Sequence, residues 1–175
     1  LRLHCAAQWL PEYDWPAVDD ASLLATLELW LLPDMQGVHS LRALKALDLI
    51  HALNHLLPWP LRQRLDSALP GHYTVPTGSQ IAIRYHAENP PVLAVRMQEM
   101  FGEAATPVIA EGRMPLVLEL LSPAQRPLQI TRDLSAFWAG AYREVQKEMK
   151  GRYPKHVWPD DPANTAPTRR VKKYS

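Results

Sequence analysis

Cationic and aromatic side chains alternate near the C-terminal end of the chain. Segment 151–162 contains Arg152, Tyr153, Lys155 and Trp158, and more cations follow between residues 169 and 173. Cationic side chains neutralise phosphates and release counterions, while aromatic rings stack on unpaired bases. The pattern predicts contact with nucleic acid through Arg152, Lys155, Arg169, Arg170, Lys172 and Lys173.

Each part of this pattern has a structural alternative. Tyr153 and Trp158 can instead pack an extended segment onto the surface of the domain, and for these two residues packing is the favoured interpretation. The cations between residues 169 and 173 can equally form a solvated chain end, because a few like charges are weak evidence for a binding site. Contact with phosphate and a solvated end therefore both remain open for that cluster.

The net charge of +1 conceals an uneven distribution. Residues 143–175 contain nine Lys or Arg and four Asp or Glu. Residues 1–142 contain ten Lys or Arg and fourteen Asp or Glu. An acidic body favours contact with protein, and a basic end favours contact with phosphate.

Other patterns that could carry chemistry are weak. The seven glycines show neither a phosphate-loop nor a dinucleotide-binding spacing. His51 and His55 could share a helix face, but no third zinc ligand is evident and we interpret them as structural or surface histidines. Cys5 lies in an apolar stretch, so we expect an inert buried thiol. The sequence therefore predicts no catalytic, cofactor-binding or metal-binding residue in this chain.

Composition excludes several classes of protein. A chain of 175 residues with 47% hydrophobic and 21% charged residues is typical of a folded globular protein. No apolar run reaches the ~18 residues that a membrane-spanning helix needs. The single cysteine excludes an intrachain disulfide framework and suits a reducing compartment, so we expect a cytoplasmic protein.

The elements that position these residues fall into three predicted parts. Residues 1–70 form a helical subdomain, with helices over 19–33 and 40–57 and a third that follows Pro60 and ends at Pro70. Residues 71–134 form a small mixed β-sheet with one packed helix, and residues 135–175 form a helix and an extended, proline-rich basic tail. The predicted fold class is α+β.

Local signals define the elements of the second and third parts. Strands are predicted over 73–75, 81–85, 115–121 and 127–131, with the last two joined as a hairpin. A helix is predicted from Pro91 to Phe101, with Gly102 as its left-handed stop. The final helix is predicted to begin at a Ser135 cap and to end at Gly151.

Several runs of residues together resemble one known family. These runs are 75–79 (VPTGS), 91–102 (PVLAVRMQEMFG), 115–124 (PLVLELLSPA), 127–131 (PLQIT) and 151–156 (GRYPKH) with Trp158 and Pro159. They resemble the C-terminal region of the HrpB family of bacterial, ATP-dependent, DExH-type RNA helicase-like proteins. The resemblance covers essentially the whole chain.

The resemblance implies a fragment of a larger helicase-type enzyme. Its motor domains would precede Leu1, since the sequence does not begin with an initiator Met. Those domains would have the ATPase activity and would bind ATP and Mg²⁺. None of the family's catalytic motifs matches this chain. The implied role is accessory, bracing the motor and contacting RNA, with the motor domains of the same parent chain as partners. The alternative is a protein–protein interaction module that does not bind nucleic acid.

Overall fold

The computed structural model describes residues 1–17, 21, 24 and 56–169. It contains two compact units, residues 1–69 and 70–175. The helices predicted over 19–33 and 40–57 lie outside the described residues except at positions 21, 24, 56 and 57, and so do His51 and His55. The division into parts at residues 70 and 134 stays a prediction.

Two helices are described in the first unit. These are α1 (Arg2–Trp9) and α2 (Trp59–Ala68). Proline is tolerated in the first turn of a helix because that amide has no intrahelical partner, and Pro60 occupies such a position in α2. Arg2 donates to the Leu69 carbonyl at 3.0 Å and pairs with Asp66 at 3.2 Å, which satisfies one carbonyl at the end of α2. The helix predicted after Pro60 is confirmed.

The second unit is built on two sheets. Its strands are β1 (His72–Thr74), β2 (Gln80–Arg84), β3 (Val92–Arg96), β4 (Val108–Ile109), β5 (Met114–Pro115), β6 (Val117–Leu121) and β7 (Pro127–Thr131). Five of them form a sheet in the order β1, β2, β3, β6, β7, while β4 and β5 pair separately. Only β3 and β6 run parallel, so the larger sheet is mixed and the α+β class is confirmed.

The predicted hairpin is present, and the two strands predicted around residues 76–79 also pair as a hairpin. Strands β1 and β2 pair antiparallel across the turn at residues 75–79, where Gly78 has a φ of +89°. Strands β6 and β7 pair antiparallel across residues 122–126, and the Ser122 amide donates to the Arg126 carbonyl at 2.8 Å. Turn composition therefore located both connections correctly.

The helix predicted from Pro91 to Phe101 is wrong. Residues 92–96 form β3, a central strand between β2 and β6, and only Met97–Met100 form a short 3₁₀ turn. Leu93 and Val95 are buried while their neighbours are half-exposed, which is the period-two pattern of a strand. Ladder hydrogen bonds on both sides override the helical spacing of the apolar residues, because pairing with distant strands supplies partners that local sequence does not reveal.

The single helix predicted from Ser135 to Gly151 is also wrong. Two helices, α3 (Leu134–Ala139) and α4 (Tyr142–Arg152), are separated at Gly140. The cap of α3 is Asp133, whose Oδ1 accepts from the Ala136 amide at 3.1 Å. Ser135 therefore lies inside the helix, and α4 continues through Gly151 to Arg152.

Gly102 provides the first quantitative prediction. Its φ is +94°, and a Cβ there would lie 3.2 Å from the Thr165 carbonyl oxygen. We expect Gly102→Ala to lower the free energy of unfolding by about 1–3 kcal/mol. An alanine at this positive φ has a strained backbone, and its Cβ is crowded by the Thr165 carbonyl oxygen. The measurement is urea unfolding, with Gly71→Ala as control since nothing lies within 4 Å of that Cβ. Equal effects of the two substitutions would contradict the prediction.

Candidate nucleic-acid interface

Helix α4 presents an apolar face inward and a charged face outward. Tyr142, Val145, Gln146 and Met149 are buried, whereas the lysines at 147 and 150 are exposed. The spacing of three and four residues between the buried positions places them on one helical face. The exposed cations of α4 therefore lie on the surface of the second unit.

The chain after α4 forms a fastened segment, residues 153–169, that we call the strap. The Tyr142 hydroxyl donates to the Pro159 carbonyl at 2.6 Å. The Gln146 side-chain amide donates to the carbonyls of Trp158 and Pro159, both at 3.0 Å, and to the Asp160 carboxylate at 2.8 Å. Because these donors are buried on α4, they hold the middle of the strap against the helix.

The later part of the strap is held by residues 98–102. The Gly102 amide donates to the Pro162 carbonyl at 2.8 Å, and the Thr168 amide donates to the Gln98 carbonyl at 3.1 Å. The proline-rich tail is thus fastened along its length as far as Thr168. Its described part, residues 153–169, contains no α-helix, but a 3₁₀ helix at Pro162–Asn164 interrupts the extended course that was predicted.

Trp158 resolves one of the alternatives left by the sequence. Its side chain is only 5% exposed, its ring meets that of Phe101 edge-on at 6.5 Å, and its Nε1 donates to the Tyr153 carbonyl at 2.9 Å. Packing is therefore confirmed for Trp158, because a buried ring has no open face for a base.

Two titratable groups have shifted pKa values where α4 contacts the strap. Burial, followed by the nearby charge of Asp160, raises the pKa of Tyr142 well above its ordinary value, so this hydroxyl remains a donor. The hydrogen bond from Gln146 lowers the pKa of Asp160, and the charges of Lys150 and Arg143 act in the same direction.

The predicted binding residues Arg152 and Lys155 lie at the start of the strap, where both are exposed. Arg152 pairs with Glu148 at 3.7 Å, one helical turn earlier. Next to them is a groove of about 440 Å³, which we call the basic groove. It is lined by Lys150, Pro154, His156, Val157 and Trp158.

Arg169 lies at the other end of the strap, against a different set of side chains. Its Nη1 donates to the Ser79 hydroxyl at 3.2 Å. That hydroxyl and the Thr77 hydroxyl donate to Oε1 of Glu99 at 2.8 and 2.9 Å, while Arg96 donates to Oε2 at 3.3 Å. We call Thr77, Ser79, Arg96 and Glu99 the polar cluster.

The six predicted binding residues are therefore distributed between separate places. Arg152 and Lys155 begin the strap, Arg169 ends it, and Arg170, Lys172 and Lys173 lie outside the described residues. Sequence reasoning missed the structural role of Gln146, for which no local signal exists. It also counted Lys150 only as a charge, although the structure places it in a groove.

The remaining chemistry-bearing residues of the described part form no further site. Cys5 is fully buried, and this burial raises the pKa of its thiol, as expected of an inert cysteine. No group of three His, Cys, Asp or Glu residues in the described ranges could hold a metal ion. None of the described helices is both long enough and apolar enough to cross a membrane.

Comparison with known proteins identifies the family. A family model described as the ATP-dependent helicase C-terminal region, HrpB_C, matches residues 30–162. This chain belongs to the HrpB C-terminal family. It is 82% identical over 175 residues to the ATP-dependent RNA helicase HrpB of Escherichia coli (strain K12), and it spans 22% of that relative's length.

Two crystal structures of HrpB resemble this fold. A structure described as the E. coli DExH-box NTPase HrpB matches 97% of this chain with a TM-score of 0.94 and 81% identity. One described as the E. coli DEAH/RHA helicase HrpB matches 90% with a TM-score of 0.78 and 78% identity. The chain covers 21% and 20% of those two chains.

Gly102 of this HrpB C-terminal chain is not available to a phosphate loop. Phosphate loops need glycines whose backbone amides open toward a ligand. The Gly102 amide instead donates to the strap, and a Cβ at Gly102 would meet the Thr165 carbonyl. No step of ATP chemistry is therefore assigned to the described residues.

Proposed function

We propose that this chain is an accessory module of an ATP-dependent RNA helicase of the DExH type, which braces the motor domains and contacts RNA. The motor, with ATP and Mg²⁺, would belong to the part of the parent protein that this chain does not span. The proposal includes a cytoplasmic location, which suits a chain with Cys5 as its single cysteine. Its main support is the 82% identity over the whole chain to a protein named as an RNA helicase.

Exposed cations support the RNA contact. Arg152 at the end of α4 and Lys155 near the start of the strap are exposed, and three further cations follow Arg169 in the sequence. Cationic side chains on a surface bind phosphates without regard to sequence, as an accessory RNA contact requires. These residues neutralise phosphates and thereby bind the RNA strand.

Fluorescence anisotropy of labelled single-stranded RNA across a salt series tests the proposal. The 175-residue chain is compared with a chain that ends at Arg169, which keeps every described strap contact. We expect the slope of log affinity against log salt to fall by about 0.7 for each phosphate contact that is lost. Arg84→Gln is the control, since Arg84 is an exposed cation on β2 that pairs with Glu119. No binding at low salt would refute the RNA contact.

A protein–protein module is the second candidate, and the edge of the larger sheet favours it. Ile130 on edge strand β7 is 64% exposed, and an edge strand offers unpaired backbone groups to another protein. This function predicts that Ile130→Glu weakens binding to isolated motor domains while RNA affinity does not change. If the RNA contact is correct, Arg152→Gln weakens the binding of RNA while binding to the isolated motor domains does not change.

A further inference from the structure

We propose that the basic groove, together with Lys155 between its lining residues Pro154 and His156, is a binding site for a segment of single-stranded RNA, with phosphates on Lys150 and Lys155 and a base against His156. This inference deepens the proposed function and rests on it. It assigns the RNA contact to one place on the second unit.

The charge around the groove favours a polyanion. Between residues 147 and 158 the chain has four cations and one carboxylate, Glu148. That carboxylate pairs with Arg152 at 3.7 Å. Lys150 and Lys155 are exposed, and neither takes part in an ion pair among the described residues. These two lysines can therefore bind successive phosphates of a strand.

The nearest acidic group does not cancel this charge. Asp160 lies within the electrostatic influence of Lys150, but its carboxylate accepts a hydrogen bond from Gln146 at 2.8 Å and pairs with Arg143 at 3.5 Å. Gln146 and Arg143 therefore share this carboxylate with Lys150. The C-terminal end of a helix is itself slightly negative, by about half a charge, which the four cations exceed.

The aromatic side chains give the groove a wall for a base. The His156 ring lies 6.2 Å from the Tyr153 ring and 6.3 Å from the Trp158 ring, which forms a row of three. Trp158 is buried beneath the row, whereas Tyr153 and His156 are half-buried and Pro154 is exposed. A partly open imidazole beside a proline ring offers an apolar face on which any base can stack.

The groove is held in shape before any ligand arrives. The Tyr153 carbonyl accepts from the His156 amide at 3.1 Å and from the Trp158 indole at 2.9 Å, and the Tyr153 amide donates to the Met149 carbonyl at 2.7 Å. A preformed site avoids the entropic cost of ordering a loop on binding.

The size of the groove favours a single strand over a duplex. A volume of about 440 Å³ lies within the range of sites for small ligands and admits a nucleotide unit. A base can enter it only when it is not stacked in a helix, as in single-stranded RNA. We therefore expect weaker binding of a duplex of the same length.

Matched lysine variants test the groove. Lys150→Gln changes a lysine that lines the groove, and Lys155→Gln changes the exposed lysine between two lining residues, Pro154 and His156. Both are compared with Lys147→Gln, which removes an exposed lysine of α4 that is not adjacent in sequence to any lining residue. The probe is a labelled single-stranded oligoribonucleotide in an anisotropy titration. We expect each groove variant to weaken binding by about fivefold at low salt and to reduce the salt slope by about 0.7. Lys147→Gln is expected to leave both values unchanged.

The outcomes separate the groove from the function on which it rests. If the unmodified chain does not bind the strand at low salt, the RNA contact itself fails and the groove fails with it. If binding is present but Lys147→Gln weakens it as much as Lys150→Gln, or if neither does, only the groove is refuted. His156→Ala should weaken binding without changing the salt slope, and tighter binding of the duplex would overturn the single-strand preference.

Discussion

Replacing Trp158 with Ala is expected to lower the free energy of unfolding by about 3–5 kcal/mol. The indole is 5% exposed, packs against Phe101 and donates to the Tyr153 carbonyl, so the substitution opens a cavity and removes one of the two donors to that carbonyl. Natural domains are stable by only about 5–15 kcal/mol, so this loss is a large fraction of the total. Urea unfolding followed by circular dichroism measures it.

Two further variants make the Trp158 prediction specific. Trp158→Phe keeps an aromatic ring in the core and loses the N–H donor, so its effect should be about 1–2 kcal/mol. Trp59→Ala is the matched control, because Trp59 is 63% exposed and the change should cost less than about 1 kcal/mol. A Trp158→Ala protein as stable as the Trp59→Ala protein would show that the strap is not packed as described.

Removing the buried carboxylate of Glu99 is the second large change that we expect. Glu99 is 3% exposed and accepts hydrogen bonds from Thr77, Ser79 and Arg96. In Glu99→Ala all three donors lose their acceptor. The expected loss is about 2–3 kcal/mol, which is less than for a fully buried ion pair because the Arg96 side chain is 27% exposed.

The same substitution should loosen the end of the strap. Ser79 links Glu99 to Arg169, so the loss of the carboxylate frees the hydroxyl that Arg169 contacts. Faster amide exchange at Thr168 in Glu99→Ala would report this effect. The control is Glu148→Gln, since Glu148 and Arg152 form an exposed pair and the change should cost less than about 0.5 kcal/mol. Unchanged exchange at Thr168 would argue against a link through Ser79.

Local sequence was sufficient where a short segment determines its own conformation. The turn at residues 75–79 contains proline, glycine and serine, and the turn at 122–126 contains serine and proline, so the turn between β1 and β2 and the hairpin of β6 and β7 were predicted correctly. The helix after Pro60 was predicted for the same reason, because proline in the first turn and apolar residues four apart are local signals. The basic end and the expected packing of Trp158 also followed from composition and residue type.

Only the tertiary structure decided the features that depend on distant partners. Residues 92–96 have apolar spacing that suits a helix, yet they form the central strand because β2 and β6 supply ladder hydrogen bonds on both sides. The contact of Arg169 with Ser79 joins residues 90 positions apart. The basic groove likewise depends on a glutamine and a tyrosine of α4 that hold the strap in place. Such contacts leave no periodic trace in the sequence, because their free energy comes from burial and pairing that exist only once the chain has folded.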